Sequence, residues 1–191
     1  MLEKTQAIEI FSQAGALLEG HFRLTSGRHS NQYMQCAQVL KYPAFTEQLA
    51  RHLAEVFKDD GVELVIGPAM GGIVVAYEVA RQLGVLGMFT ERENGQMALR
   101  RGFSIEPGQR ILVVEDVVTT GGSVKEAIEV VEKLGGQVAG VGVLVDRSNG
   151  SVDFGVKQAA VLSLDITSWE AEDCPLCREG KLPLVKPGSR A

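Results

Sequence analysis

The sequence predicts an α/β fold in which a largely parallel sheet is flanked by helices. Candidate strands are the short apolar runs at 64–66, 87–90, 111–114, 138–145 and 160–164. Helical patterns at 73–83 and 124–134 lie between these runs, and this alternation is typical of strand-helix-strand units. The runs are apolar at nearly every position, which indicates strands that are covered on both faces.

The segments before and after these units predict further elements. Apolar residues over 2–14 are spaced as on one face of a helix. Residues 20–37 alternate between apolar and polar around a turn at 25–28, which predicts an extended hairpin. A helix is expected to begin at Pro43 and to end before the Asp-Asp-Gly sequence at 59–61. The end of the chain, 173–191, reads as an irregular tail.

Composition narrows the function classes. A length of 191 residues fits a single domain, 1–191, and the net charge of -5 argues against nucleic acid as a partner. Residues 1–14 lack the apolar core of a secretory signal, and no apolar run approaches membrane-spanning length. The three cysteines are an odd number, which suits a reducing compartment. We therefore expect a cytoplasmic protein with neither a nucleic-acid nor a membrane partner.

The most informative segment is 111–123, where an apolar strand leads through Thr-Thr-Gly-Gly-Ser into a helical pattern. The carboxyl end of a parallel strand and the start of the next helix form an anion site, because the first N-H groups of the helix are unpaired. Gly121 and Gly122 allow backbone amides to turn inward, and hydroxyl groups lie on both sides of them. The loop is therefore expected to hold a monophosphate.

Two adjacent carboxylates, Glu115 and Asp116, precede this anion site. Two negative carboxylates beside a phosphate site are unfavourable unless they bind hydroxyl groups or a cation. A ribose diol would supply the hydroxyl groups, and Mg²⁺ would supply the cation. The alternative is an ordinary strand-to-helix connection with two surface acids. The loop has no Lys after its glycines and no G-x-G-x-x-G spacing, so it matches neither a P-loop nor a dinucleotide-binding loop.

The strand, acid pair and Thr-Thr-Gly-Gly-Ser loop resemble the phosphoribosyl pyrophosphate (PRPP) motif of type I phosphoribosyltransferases. Segments 22–30, 67–72 and 146–147 stand in the order seen in orotate phosphoribosyltransferases, and the resemblance extends to about residue 165. It implies a core of about 41–164 with a small hood built from about 1–40 and 165–191. It also implies a homodimer in which a mobile loop reaches into the neighbouring active site.

The implied reaction is the Mg²⁺-dependent transfer of phosphoribose from PRPP to orotate. Its products are orotidine 5'-monophosphate and pyrophosphate, in the de novo synthesis of UMP. Two alternatives remain open: a type I phosphoribosyltransferase for a purine or another base, and a PRPP-binding regulator without turnover.

The resemblance also implies roles for individual residues. The PRPP-binding positions are Arg92, Glu115, Asp116, Val117, Val118, Thr119, Thr120, Gly121, Gly122, Ser123, Met70 and Gly71. Of these, the catalytic positions are Glu115, Asp116 and Arg92. The orotate-binding positions are Thr119, Arg147, Tyr33 and Met34. Arg100 and Arg101 belong to the implied mobile loop, 91–103. Many members of the family carry Lys where this sequence has Thr25 and Gly71.

Cys174 and Cys177 have the C-x-x-C spacing of half a zinc site. A second copy of the chain or Cys36 could complete it, and a tail turn with reduced thiols is the alternative. The histidines follow no metal-ligand spacing, although His29 lies in the matched hairpin, where it could approach substrate.

Overall fold

The computed structural model of the chain describes residues 1–24 and 26–187. Thr25, one of the two positions often occupied by Lys in the family, lies outside the described residues, as does the end of the predicted tail, 188–191. The strands are β1 (Leu17–Arg23), β2 (His29–Met34), β3 (Leu64–Pro68), β4 (Leu86–Glu93), β5 (Gln96–Leu99), β6 (Arg110–Val118), β7 (Gln137–Asp146), β8 (Gln158–Ser163), β9 (Ser168–Trp169) and β10 (Leu184–Val185). The helices are α1 (Lys4–Gln13), α2 (Ala37–Leu40), α3 (Pro43–Phe57), α4 (Gly71–Leu83), α5 (Gly122–Lys133) and α6 (Pro175–Glu179), with a 3₁₀ turn at Ala171–Asp173.

The larger sheet has six strands in the order β5-β4-β3-β6-β7-β8. Its neighbouring strands are parallel except for β4 and β5, which form an antiparallel hairpin at one edge. The predicted fold class is therefore confirmed. Helices α3 and α5 begin and end close to where the sequence pattern placed them, because Pro43 occupies the first turn of α3 and Gly121 directly precedes α5.

Both faces of this sheet are covered, as the apolar runs predicted. Along β6, Leu112 and Val114 belong to the core that packs against α3 and α4, whereas Ile111 and Val113 belong to the core that packs against α5. Successive side chains of a strand point to opposite faces, so a strand between two helical layers must be apolar at every position.

The smaller sheet has the strand order β10-β1-β2-β9. Strands β1 and β2 form the hairpin predicted over 20–37, and short strands from the end of the chain pair with both of its edges. The prediction of an irregular tail was therefore wrong. Residues 175–179 form α6, and residues 184–185 form β10. Strand β10 exists only because it pairs with β1, which is distant in the sequence, so a local pattern does not reveal it. None of the helices in the described part of the chain is long and apolar enough to cross a membrane.

Gly140 marks the closest contact between β7 and the helical layer beneath it. A Cβ at Gly140 would overlap the Phe57 ring and lie 2.8 Å from the carbonyl oxygen of Lys157. Two residues along the same strand, a Cβ at Gly142 would lie 3.4 Å from Leu53 and Phe57. The same substitution therefore meets very different amounts of space at the two positions.

We expect Gly140→Ala to lower the free energy of unfolding by about 1–3 kcal/mol, because the added methyl group forces α3 away from the sheet. Gly142→Ala is the matched control, for which we expect a loss below about 1 kcal/mol. Urea unfolding of both variants measures the difference. Equal losses would contradict this account of the packing.

Candidate active site

The order of the strands creates a crevice between β3 and β6. These two parallel strands are neighbours, but the chain leaves β3 toward β4 on one side and leaves β6 toward β7 on the other. Ligands of open α/β sheets bind at such a point, beyond the carboxyl ends of the strands. Here the crevice is bordered by the loop 69–70 before α4 and the loop 119–121 before α5.

The loop 119–121 has the shape expected of an anion site. Gly121 has φ +75°, and a Cβ there would lie 2.8 Å from Val152 and 3.0 Å from Phe154, so only glycine fits. Within the described residues no side chain caps the start of α5, which leaves its first N-H groups available to a ligand. The hydroxyl-bearing residues Thr119, Thr120 and Ser123 are exposed around this turn.

A cavity of about 190 Å³ lies over this loop, lined by Arg92, Glu115 and residues 117–124. A second cavity of about 230 Å³ shares Val118 with it, but the described residues that line the second cavity include no Lys or Arg. The smaller cavity combines a cation, hydroxyl groups and unpaired N-H groups. It is therefore the better candidate for a phosphate.

The acid pair lies on β6 itself. The sequence predicted a strand over 111–114, but β6 continues through Val118 because Glu115, Val117 and Val118 pair with β7. Glu115 is only 8% exposed. Its Oε1 accepts a hydrogen bond from the backbone N-H of Asp116 at 3.1 Å, and Asp116 Oδ1 accepts one from the backbone N-H of Val117 at 2.7 Å.

The loop before α4 closes directly onto these carboxylates. A Cβ at Gly71 would overlap the carboxylate of Asp116, and a Cβ at Gly72 would lie 3.1 Å from Oε1 of Glu115. The peptide bond between Ala69 and Met70 is cis, and the Met70 side chain is exposed. The structure thus brings Gly71 beside Asp116, and the glycines leave no side chain between the loop and the acids.

Burial governs the protonation of the acid pair. It raises the pKa of Glu115 to about 9, and the adjacent charge of Asp116 contributes to the rise. Burial also raises the pKa of Asp116, although hydrogen bonds from Glu115 and from the backbone of Val117 oppose this. Without a ligand the pair therefore retains one proton at neutral pH, on Glu115.

Arg147 approaches the phosphate loop from β7. Its backbone N-H donates to the carbonyl oxygen of Val118 at 2.8 Å, which fixes it beside the end of β6. Its Nε is buried and has no hydrogen-bond partner within residues 1–24 and 26–187. Burial lowers the pKa of this guanidinium, and the nearby Tyr33 and Cys36 partly oppose the effect. A buried donor without an acceptor is unfavourable, so a ligand oxygen here would be strongly bound.

Of the two residues implied as ring contacts, only Tyr33 is partly accessible. Met34 is 3% exposed and belongs to the core that packs on α3 and α4, because neighbouring residues of β2 point to opposite faces. Tyr33 packs beside Phe22, with ring centroids 5.9 Å apart. His29 is 5% exposed, and its Nδ1 lies 3.1 Å from Nε2 of His21.

The segment implied to be a mobile loop, 91–103, contains the end of β4 and all of β5. Asn94 and Gly95 form its turn with φ +51° and +82°, and this Asn-Gly pair is a hairpin signal that sequence reasoning missed.

The three arginines of this hairpin have different partners. Arg92 lines the phosphate cavity, and its Nη2 lies 2.6 Å from Oε2 of Glu126. Arg101 forms a two-pronged pair with Glu91 at 2.7 and 2.9 Å. Arg100 Nη2 lies 3.0 Å from Oε1 of Glu93. Arg92 is thus the one of these three that the structure brings to the crevice.

The raised pKa of Glu115 makes stability depend on pH. The folded chain keeps this proton up to about pH 9, whereas the unfolded chain loses it near 4.5, so the free energy of unfolding falls as pH rises between these values. Glu115→Gln abolishes the titration. We expect this variant to be more stable than the wild type by about 1–3 kcal/mol at pH 8, and by much less at pH 5.

Urea unfolding of the substrate-free protein from pH 5 to pH 8.5 measures this change. Glu132→Gln, at an exposed position of α5, is the matched control and should show no such trend. A stability difference that does not vary with pH would contradict the assignment of the proton to Glu115.

Comparison with known proteins agrees with this geometry. A family model described as the phosphoribosyl transferase domain matches residues 35–170. The orotate phosphoribosyltransferase of Pelotomaculum thermopropionicum is 63% identical over 189 residues, covering 99% of this chain and 99% of that protein.

Solved structures with the same fold include relatives that differ in the base they are named for. The orotate phosphoribosyltransferase of Aeropyrum pernix aligns with a TM-score of 0.68 at 32% identity, over 82% of this chain and 92% of that one. An adenine phosphoribosyltransferase of Thermoanaerobacter pseudethanolicus aligns with a TM-score of 0.60 at 19% identity, over 70% and 88% of the two chains, and this shows the fold alone. Because the chain matches such relatives over nearly its whole length, it belongs to the orotate phosphoribosyltransferase family.

Proposed function

We propose that the chain catalyses the Mg²⁺-dependent transfer of phosphoribose from PRPP to orotate, giving orotidine 5'-monophosphate and pyrophosphate. This is a step of de novo UMP synthesis, which we place in the cytoplasm. The observation that carries the choice of base is the buried Nε of Arg147, which has no partner within the described residues and lies beside the phosphate loop. A cation so placed fits an acceptor base that carries a carboxylate, as orotate does.

The phosphate loop and the acid pair would hold the phosphoribosyl group. The N-H groups at the start of α5 and the hydroxyls of Thr119, Thr120 and Ser123 bind the 5'-phosphate. Asp116 and Glu115 then accept hydrogen bonds from the ribose hydroxyls. Because the pKa of Glu115 is raised to about 9, the acid would either lose its proton when PRPP binds or keep it and donate a hydrogen bond to a ribose oxygen.

Mg²⁺ fits the chemistry of this site. The ion prefers oxygen ligands, and burial raises the pKa of both Asp116 and Glu115, so a cation beside them would favour their charged forms. The diphosphate of PRPP would supply most of the ligands, with these two carboxylates beside it. When bound, the ion reduces the negative charge of the departing pyrophosphate.

The base would lie between Arg147, Tyr33 and Thr119. Arg147 supplies a fixed cation for the orotate carboxylate or a ring carbonyl, and the accessible edge of Tyr33 packs against the ring. The side chain of Met34 is buried in the core, so its contribution would be to hold β2 in place.

The protein then has little covalent work to do in the reaction. The bond from the ribose C1 to the pyrophosphate oxygen breaks, and its electron pair leaves with pyrophosphate. The new bond forms from N1 of orotate, which has lost its proton. Arg92 at the edge of the cavity would stabilise the charge that builds up on the leaving group. Closure of the hairpin that carries Arg100 and Arg101 would exclude water from the electron-poor ribose.

The family resemblance also implies a homodimer, and the surface of α4 supports this. Met70, Val74 and Tyr77 are exposed by 81%, 40% and 71%, at positions that share one face of the helix. Exposed large apolar side chains on one helix face are typical of a protein interface. Because Met70 belongs to the loop that borders the active site, a second copy seated here could bring its own hairpin close to the crevice.

The choice of base is tested by supplying the purified protein with PRPP, Mg²⁺ and orotate, uracil, adenine or hypoxanthine in turn. Of the four bases, we expect only orotate to cause pyrophosphate release, accompanied by the loss of orotate absorbance. Release with a purine but not with orotate would establish the first alternative. Binding of PRPP without turnover of any base would establish the regulator.

The same assay tests the role of Arg147. We expect Arg147→Ala to lower kcat/KM for orotate on the order of 100-fold or more, since truncating one partner of a buried charge pair costs several kcal/mol. The affinity for PRPP in the absence of base should stay within about threefold of the wild type. Arg51→Ala, at an exposed position of α3, is the control. An equal loss of PRPP affinity would refute the division between base and PRPP sites.

The homodimer is tested by sedimentation at micromolar concentrations. We expect the wild type to sediment as a dimer and Tyr77→Asp as a monomer, because a carboxylate would be buried in the apolar interface. Tyr42→Asp places the same charge at another exposed tyrosine, which is 42% accessible, and should leave the dimer intact. A monomeric wild type would overturn the proposal.

A further inference from the structure

Two histidines and two cysteines meet in the smaller sheet. His21 lies on β1, His29 begins β2, and Cys174 and Cys177 lie at the start of α6. One ligand atom from each residue falls within 4.8 Å of the other three. The sequence showed only the C-x-x-C half of this cluster, because the histidines come from strands about 150 positions away.

Four of the six distances between these atoms are close to the edges of a metal-centred tetrahedron. His21 Nε2 lies 3.1 Å from His29 Nδ1, 3.5 Å from Cys174 Sγ and 3.6 Å from Cys177 Sγ. His29 Nδ1 lies 3.2 Å from Cys177 Sγ. Tetrahedral Zn²⁺, with Zn–S near 2.3 Å and Zn–N near 2.1 Å, places neighbouring ligand atoms about 3.4–3.8 Å apart, so binding would need these atoms to move by only a few tenths of an ångström.

The orientation of His21 points to a metal rather than to a hydrogen-bond network. Its other ring nitrogen, Nδ1, lies 3.4 Å from the carbonyl oxygen of Leu182, and an N-H donated there leaves a lone pair on Nε2. Three groups converge on this lone pair, which can accept only one hydrogen bond well. A histidine that binds a metal through one ring nitrogen usually donates a hydrogen bond from the other, often to a backbone carbonyl oxygen.

Burial and charge fit the same interpretation. His21, His29 and Cys174 are 4%, 5% and 0% exposed, whereas Cys177 is exposed and leaves a path for an ion to enter. Two thiolates would balance the charge of one divalent ion, so the completed site would be neutral. The other possible partner, Cys36, lies elsewhere, since its Sγ is 3.7 Å from the carbonyl oxygen of Asp116.

We propose that each chain binds one Zn²⁺ through His21 Nε2, His29 Nδ1, Cys174 Sγ and Cys177 Sγ. Four protein ligands leave no open position, so the ion is structural and takes no part in the transfer reaction. The site is complete within one chain and needs no second copy. It is also separate from the Mg²⁺ of the active site, which oxygen atoms would hold.

The ion would tie the end of the chain to the hairpin of the smaller sheet. His21 pairs with Leu184 of β10, and His29 pairs with Trp169 of β9, so each histidine stands next to a strand contributed by the tail. Arg28 adds a polar link, donating to Ser168 Oγ at 2.9 Å and to its carbonyl oxygen at 2.7 Å. The metal would reinforce these short ladders, each of which has only two residue pairs.

The test is the metal content of protein purified without an affinity tag or chelator, measured by mass spectrometry. We expect one zinc per chain in the wild type, and less than about a tenth of that in the Cys174→Ser, Cys177→Ser double variant. Cys36→Ser and His52→Gln remove a cysteine and a histidine outside the cluster, and should retain one zinc per chain. Zinc retained by the double variant, or absent from the wild type after incubation with Zn²⁺, would overturn the proposal.

Two further measurements on the wild type keep the test independent of whether a variant folds. Replacing the ion by Co²⁺ should produce the strong visible absorption of a tetrahedral site with thiolate ligands. Chelation should change the fluorescence of Trp169, the single tryptophan of the chain, because its strand pairs with β2 at His29. A Cys174–Cys177 disulfide in freshly purified protein, or octahedral cobalt spectra, would contradict the proposal.

Discussion

The close approach of two loops at the carboxyl ends of β3 and β6 is the constraint on which the site depends. A Cβ at Gly67 would overlap the carbonyl group of Gly72, and a Cβ at Gly71 would overlap the carboxylate of Asp116. Glycine at these positions allows the start of α4 to sit directly on the end of β6. The same contact excludes water from Glu115 and Asp116. The close packing of the backbone is therefore also the cause of their raised pKa values.

The ligand-free site accordingly holds charged groups in unfavourable surroundings. Glu115 keeps a proton that an exposed carboxyl would lose, and the Nε of Arg147 lacks an acceptor within the described residues. A diol, a cation and an anionic base satisfy these groups together, so part of the binding energy of the substrates comes from groups that the fold leaves unsatisfied.

Sequence reasoning succeeded where the pattern was local. The sheet and its helices follow from runs of apolar residues, and the phosphate loop is contiguous from Glu115 to Ser123. It failed where long-range pairing decides the structure. Strand β10 has only two residues and is defined by its ladder with β1, and the histidines beside Cys174 belong to a hairpin at the other end of the chain. Met34 illustrates a third limit, since its family position does not say which face of β2 it occupies, and its side chain lies in the core.

The strand pairing of the smaller sheet also determines the order in which the two sheets can form during synthesis of the chain. Strands β1 and β2 precede the six-stranded sheet in the sequence, whereas the strands that border them, β9 and β10, follow it. The six-stranded sheet can therefore form before β9 and β10 are made. The hairpin that carries Tyr33 acquires both of its neighbours only after β8 has been made, so a growing chain can assemble its phosphate loop before it can close the base side of the site.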